Sequence, residues 1–413
     1  MVRQPEADRV GQPLPVQPRQ TVWGLGPHHG RSWVAVQGRA LAVEPQTWEA
    51  PVIGQRTSVG LDVHARSVVG CGLDEQTGEV LRSRMTPAHE QVIGWLRSLP
   101  TPVKVTYEAG PTGFGLARAL QAAGIDCLVA APSRLLRPSG DRVKTDAKDA
   151  LHLARLLAVG AVTPVAVPDE ETEAARDLVR ARDDVRGELM SARHRITHLL
   201  LRQGIVYAGG TPWTRIHEDW LRRQRFARPA LQSTYDTALA ALTTAADRRD
   251  RLDEAIAELA ADSRFTPLVN RLACLRGIAT LTAVALAVEI GDWHRLTGTT
   301  IGSYLGLVPG EDSTGESRSQ HGVTKTGNSH VRRLLVEAAW QHRPPYRPSA
   351  DLQRRWKRAP ASVAAHAAKG NRRLHARWRS FDARRKRPVV ANTAIARELA
   401  SWCWALAVMD TDR

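Results

Sequence analysis

Between Ser58 and Val159 the chain alternates short β-rich runs with helix-spaced segments, and that order restricts the region to an α/β architecture. Ser58–His64, Ser67–Leu73 and Glu79–Met85 read as three successive strands of a meander. Ala88–Leu99 follows with helical spacing, then the strand Val103–Glu108, the helix Gly113–Ala123, the strand Asp126–Ala130 and the helix Ala147–Val159. Residues 56–165 are therefore expected to form one α/β domain.

Four acidic residues in this domain stand where burial or convergence gives them chemical meaning. Asp62 sits inside the apolar run Val59-Gly60-Leu61-Asp62-Val63. A carboxylate there is costly unless it is paired or binds a metal. Glu108 ends the Val103–Tyr107 run, and Asp146 and Asp149 stand three apart at a helix start, on one face. Taken singly, Asp146 and Asp149 fit a helix cap and Glu108 a strand end. Together the four can hold one or two divalent cations, and hard oxygen donors without cysteine favour Mg2+ or Mn2+. Such ions activate an attacking oxygen and stabilise a leaving one in phosphoryl transfer.

The chain's charge is consistent with that chemistry. Among 413 residues, 58 Lys+Arg face 42 Asp+Glu, a formal net charge of +16 that points to a polyanion, most simply nucleic acid. Four cysteines stand far apart with no CxxC pair, so a zinc knuckle or a disulfide framework is not expected. The absence of a long apolar run excludes a membrane-spanning helix. The first residues lack a basic-then-apolar leader, so a cytoplasmic, nucleoid-associated protein is expected.

Residues 1–55 are rich in Pro, Gln and Gly and read as a poorly ordered extension, although Ser32–Val36 has strand character. Residues 166–266 are helical and charge-balanced, with 16 Arg against 17 acidic residues. Val185, Leu189, Ala192, Ile196 and Leu199 step by four and three, as do Tyr235, Leu239, Leu242 and Ala246. Leu252, Ile256 and Leu259 resume that spacing, the seam of a helical hairpin or coiled-coil arm. An intramolecular arm and an intermolecular assembly both satisfy it. Residues 267–350 form a further unit, mainly α. Leu275-Arg276-Gly277-Ile278 before Thr280–Ile290 is similar to half of a helix-hairpin-helix, where glycine admits a phosphate to a helix N-terminus. A Ser/Thr/Gly-rich stretch, Gly306 to Ser317, precedes Gly322-Val323-Thr324-Lys325-Thr326-Gly327-Asn328 and the helix with Arg332 and Arg333. Residues 351–413 carry 15 Lys+Arg against 5 Asp+Glu and read as a basic tail, with Arg384, Arg385, Lys386 and Arg387 suited to nucleic-acid backbone contact.

The order Asp62, Glu108, Asp146, Asp149, with Pro132-Ser133-Arg134 and Lys144-Thr145-Asp146-Ala147-Lys148-Asp149-Ala150, resembles the catalytic set of DEDD transposases of the insertion-sequence-110 type. The resemblance runs from about Ser58 to about Arg343. It implies an RNase H-like domain related to RuvC resolvases, a helical arm and a transposase domain containing a nucleophilic serine just before a glycine. In this chain Thr314 precedes Gly315 and Ser313 stands one position earlier. The primary hydroxyl of Ser313 is less hindered, while Thr314 keeps the strict spacing. The resemblance assigns Lys325, Asn328, Arg332 and Arg333 to the scissile phosphate or its neighbours. It also implies double-stranded DNA of element ends and target, a guide RNA, and a dimer or dimer of dimers with a composite site. The competing readings are a metal-dependent Holliday-junction-type nuclease that uses water, and a non-catalytic DNA-binding protein with structural carboxylates.

Overall fold

Strand β3 (Thr57–Val63) is the centre of the first domain. A computed structural model describes residues 33–36, 39–42, 57–136, 145–314 and 317–409. The expected extension over 1–55 lies outside the described residues, apart from a short hairpin of β1 (Trp33–Val36) and β2 (Arg39–Ala42). Strand β3 pairs antiparallel with β4 (Val68–Asp74), which pairs antiparallel with β5 (Val80–Met85). After α1 (His89–Arg97), β6 (Val103–Glu108) joins the other side of β3 in parallel. Helix α2 (Gly115–Ala122) then leads to β7 (Asp126–Ala130), parallel to β6. The sheet order is β5-β4-β3-β6-β7, and this mixed five-stranded arrangement is consistent with an RNase H-like domain.

The two faces of the sheet are covered differently. One face packs Val59, Leu61, Val105, Tyr107 and Val129 against Val92, Leu96, Leu116 and Leu120 of the first two helices. The other face receives α3 (Asp146–Ala158), whose Ala150 packs with Val69 and Cys71 of β4. Period-2 alternation of side chains in the strands produces this division.

Beyond this domain, α4 (Glu170–Arg202) and α6 (Pro229–Ala261) are each 33 residues long. Arg182 pairs with Asp253 at 2.6 Å and Glu188 with Arg248 at 2.6 Å, so the two helices run antiparallel within one chain. The seam residues Leu189, Ala192, Ile196 and Leu199 meet Tyr235 and Leu242, and α5 (Arg215–Arg222) closes the end with Leu221. At the base, Arg118 of α2 meets Glu173 of α4 at 2.7 Å, tying arm to sheet domain.

The remaining chain is mostly helical: α7 (Thr266–Leu272), α8 (Thr280–Ile290), α9 (Ile301–Tyr304), the hairpin of β8 (Pro309–Thr314) and β9 (Ser317–Val323), and α10 (Ser329–Trp340). Then come α11 (Ala350–Trp356), α12 (Ala361–Ala383) and α13 (Pro388–Val408). Apart from Glu289, helix α8 is apolar over Ala283–Ile290, and these residues are buried, so it forms the centre of this unit. The segment read from sequence as a basic tail from residue 351 onward is mainly helical where described. Its helices share one core with α8, contributing Val363, Leu374, Trp378, Ile395, Leu399 and Leu406. Arg372, Arg373, Arg377 and Arg379 lie on the outward face of a helix that carries its apolar stripe inward, whereas Arg355 turns inward and donates to the Ala273 and Ile278 carbonyls.

The segment likened to half of a helix-hairpin-helix packs against α10. Gly277 has φ +85°, and a Cβ there would lie 2.5 Å from the Ala338 carbonyl oxygen of α10. Its lack of a side chain serves this internal close approach. No helix among the described residues is long and apolar enough to cross a membrane.

Candidate active site

Gly60 and Asp62 lie on the face of β3 that meets α3, and His64 follows directly after the strand's last residue. A Cβ on Gly60 would come within 2.6 Å of the Ala154 nitrogen and closer still to the Ala150 carbonyl oxygen. Glycine at this position therefore lets α3 lie directly on the strand. That contact brings the helix's first turn, with Asp146, to the end of β3. Thr145 caps α3 by accepting a hydrogen bond from the Lys148 N–H. The capping role that Asp146 and Asp149 could have filled thus belongs to Thr145.

The result is a three-residue cluster. His64 Nε2 lies 3.2 Å from Asp62 Oδ2 and 3.9 Å from Asp146 Oδ1. One ligand atom from each of Asp62, His64 and Asp146 falls within 4.8 Å of the others. Burial pushes the Asp62 carboxyl pKa above its ordinary value; His64 opposes the rise, while the charges of Asp146 and Asp149 add to it. Asp149 is thus within electrostatic reach of Asp62. Glu108 stands one step past the Leu61–Tyr107 register pair, beside Asp62 at the carboxyl ends of two parallel strands, and is exposed. Neither Glu108 nor Asp149 belongs to the three-residue cluster itself.

The donor set fits a divalent ion. Carboxylate oxygens suit Mg2+ and Mn2+, and an imidazole nitrogen adds a donor that Mn2+ accepts more readily than Mg2+. His64 was missed from sequence. Its signal was the two-residue spacing from Asp62, which turns both side chains to one side of an extended chain.

The sequence-predicted serine lies on a different element. Ser313 is exposed on β8 and its hydroxyl donates to Glu311 Oε1 at 2.8 Å. Thr314 is also exposed, at the strand's end and paired in register with Ser317. Beside it, His321 Nε2 meets Asp312 Oδ2 at 3.0 Å.

The neighbouring polar motif is committed largely to internal bonds. Asn328 caps α10 by accepting from the Val331 N–H and donates to Glu289 Oε2 at 2.8 Å. Arg332 donates to the Leu305 and Thr326 carbonyls, and Arg333 meets Asp183 at 2.6 Å and Glu337 at 2.8 Å. These three residues hold the loop through internal partners. Lys325 is exposed at φ +55° in the loop before α10. Glu289 itself is buried and accepts from Arg180 Nε at 2.8 Å and Nη2 at 2.9 Å. Burial raises its pKa, but hydrogen bonds from His330 and Arg180, with Asn328 in support, outweigh this and hold it at about 2. Arg384, Arg385, Lys386 and Arg387 are all exposed at the α12–α13 turn, distant in sequence from the carboxylates.

A mixed sheet with carboxylates gathered at its central strand and the first turn of a packed helix is consistent with the RNase H-like class of enzymes, and the cluster could hold a divalent metal. Comparison with known proteins gives the family. Residues 59–204 match the DEDD transposases of the IS110 type, described as "Transposase", and residues 269–352 match the "Transposase IS116/IS110/IS902 family". The putative transposase y4qE of Sinorhizobium fredii is 43% identical over 302 residues, covering 73% of this chain and 74% of that protein. The transposase for insertion sequence element IS1533 of Leptospira borgpetersenii is 31% identical over 341 residues, 81% of this chain and 99% of the relative. The chain belongs to the IS110-type DEDD transposase family and is a DNA transposase of an insertion sequence.

Proposed function

We propose that this transposase cuts DNA at the Asp62 cluster and rejoins it through Ser313. The observation that carries the reading is the convergence of Asp62, His64 and Asp146 within 4.8 Å, with Asp149 in electrostatic reach. Asp62, Glu108, Asp146 and Asp149 would hold Mg2+ or Mn2+, with His64 as a further donor. When bound, such an ion stabilises charge that develops on the phosphate oxygens.

The chain's own groups supply the covalent step. Glu311 accepts the Ser313 hydroxyl hydrogen bond, which orients Oγ and provides a base. A bond forms between Oγ and phosphorus as the phosphorus–O3′ bond breaks. The proton passes from Oγ to the Glu311 carboxylate and then to the leaving O3′. The phosphoserine link conserves the bond energy, so strand exchange needs no nucleotide cofactor. Lys325 and the Arg384–Arg387 turn would grip the nucleic-acid backbone.

The assembly follows from the separation of the two centres along the chain. The helical arm, acting as a coiled coil, would bring one protomer's serine hairpin to another's carboxylates in a dimer or dimer of dimers. A guide RNA for target and donor choice is proposed from the family likeness, and the basic surface accepts it.

Trapping of a covalent protein–DNA adduct on an element-end duplex tests the mechanism. Adduct is expected from the parent and Thr314→Ala proteins, and none from Ser313→Ala or Asp62→Asn. Undiminished cleavage by a Ser313→Ala/Thr314→Ala double variant would replace the serine step with hydrolysis by water, the Holliday-junction-type alternative.

A further inference from the structure

We propose that Arg82 and Arg84 of the edge strand β5 form a phosphate-binding wall that guides the DNA strand into the Asp62 cluster. The inference rests on the metal-dependent cleavage reading above and adds a positioning site to it.

Strand register sets the placement. Val69 pairs with Asp62 on one side and with Arg84 on the other; Cys71 likewise pairs with Gly60 and Arg82. Cross-strand partners share a face of the sheet. Asp62, Val69 and Arg84 thus form one row, and Gly60, Cys71 and Arg82 the next, both on the face that carries α3. Two strand spacings separate Asp62 from Arg84, about 10 Å between backbones. With a rise of about 3.4 Å per nucleotide, that distance corresponds to the first few phosphates beside the cut.

The groove between them is open. Helix α3 covers β3 and β4, and its Ala147 carbonyl receives the Cys71 thiol at 3.5 Å. It does not extend over β5. Arg82, Ser83, Arg84, Val69, Thr145 and Asp146 line the resulting cleft. Both arginines are exposed, and Arg84 donates weakly to the Ser67 hydroxyl at 3.4 Å. No ion pair among the described residues engages either one.

Charge on an edge strand also guards against strand-to-strand aggregation. That role needs charge anywhere along the edge. Here Leu81 and Met85 of the same strand pack into the core on the opposite face, and the two arginines are the residues facing the acidic cluster. A strand approaching two or more carboxylates meets repulsion, and a cationic wall beside them offsets it. Planar guanidinium groups bind phosphate oxygens in bidentate fashion.

The test is the salt dependence of binding, measured in EDTA on a 30-base-pair element-end duplex and on an RNA duplex of equal length. Arg82→Gln/Arg84→Gln should weaken DNA binding and reduce the slope of log K against log salt by roughly 1 to 2. Arg82→Lys/Arg84→Lys should restore the slope but not the full cleavage rate. A parent-like DNA slope and cleavage rate in the Gln pair would overturn the proposal, as would a loss confined to RNA. Loss of cleavage in Asp62→Asn alongside a parent-like Gln pair would leave the metal-dependent reading standing. Asp62→Asn cleaving at the parent rate would instead remove that reading.

Discussion

His64 Nε2, just past the end of the central strand, stands 3.2 Å from Asp62 Oδ2 within it. The imidazole is therefore placed to share whatever Asp62 binds. His64→Ala should lower metal-dependent cleavage by roughly 10- to 100-fold, the usual cost of losing a supporting group at a metal site. Asp62→Asn should cost more, on the order of 100-fold or beyond. His64→Asp makes the donor set all oxygen and should raise the rate in Mg2+ relative to Mn2+. Single-turnover cleavage across a metal titration reads each effect. Equal rates for His64→Ala and the parent at every metal concentration would exclude the histidine from the site.

Gly60 sets the distance between β3 and α3. A methyl group there has no space, because the nearest atoms are the backbone of Ala150 and Ala154 rather than a movable side-chain end. Gly60→Ala should destabilise the first domain by about 1–3 kcal/mol, the range for overpacking. It should also displace Asp146 from Asp62 and reduce cleavage more than the stability loss explains. Denaturation midpoints and cleavage rates at a temperature where the variant is folded separate the two effects. A variant with parent stability would show that the helix can shift freely.

Glu289 joins α4, α8 and α10 through Arg180, Asn328 and His330. Its folded pKa, about 2, lies below the ordinary glutamate value of 4.5. A carboxylate shifted down in this sense contributes stability above its unfolded pKa and loses it as pH falls through the folded value. The window is therefore about pH 4.5 to 2, and the shift corresponds to roughly 3 kcal/mol. Glu289→Gln should flatten the acid limb of the stability curve in this window and lower stability at pH 7. A parent-like acid limb in urea melts of the variant would count against the network.

Much of the sheet domain was legible because local patterns suffice for it. The strands Val103–Glu108 and Asp126–Ala130 fall where β-rich runs between turns place them. Asp62 stood out because an acid within an apolar run demands a reason. What remained hidden depends on distant partners. The internal bonds of Asn328 and Arg333 were not visible because Glu289 and Asp183, their partners, lie 39 and 150 residues away. His64 follows the apolar run, and only the seating of α3 on Gly60 shows that Asp146 shares its surroundings. In the last helices, arginine-rich composition masked the apolar stripe of Val363, Ala367, Leu374, Trp378 and Phe381.

That stripe makes the final helices a condition for folding the unit that carries the serine hairpin. Trp378 is fully buried, donates to the Ala339 carbonyl at 3.2 Å and packs against Trp340 with ring centroids 5.6 Å apart. Trp378→Ala should cost about 3–5 kcal/mol, the range for emptying a large aromatic site. Ending the chain at Ala350 removes α11, α12 and α13 and leaves their partners in the core around α8 and α10 exposed to water. The truncated chain should aggregate or lose helical circular dichroism beyond the share of the deleted helices, because apolar area buried against them supplies roughly 25 cal/mol per Å². Charge-reversing Arg384–Arg387, by contrast, changes only exposed side chains and should leave the melting midpoint within about 2 °C, since surface substitutions usually stay within about 0.5 kcal/mol. A soluble 1–350 protein with an undiminished melting midpoint would show that the core closes without these helices.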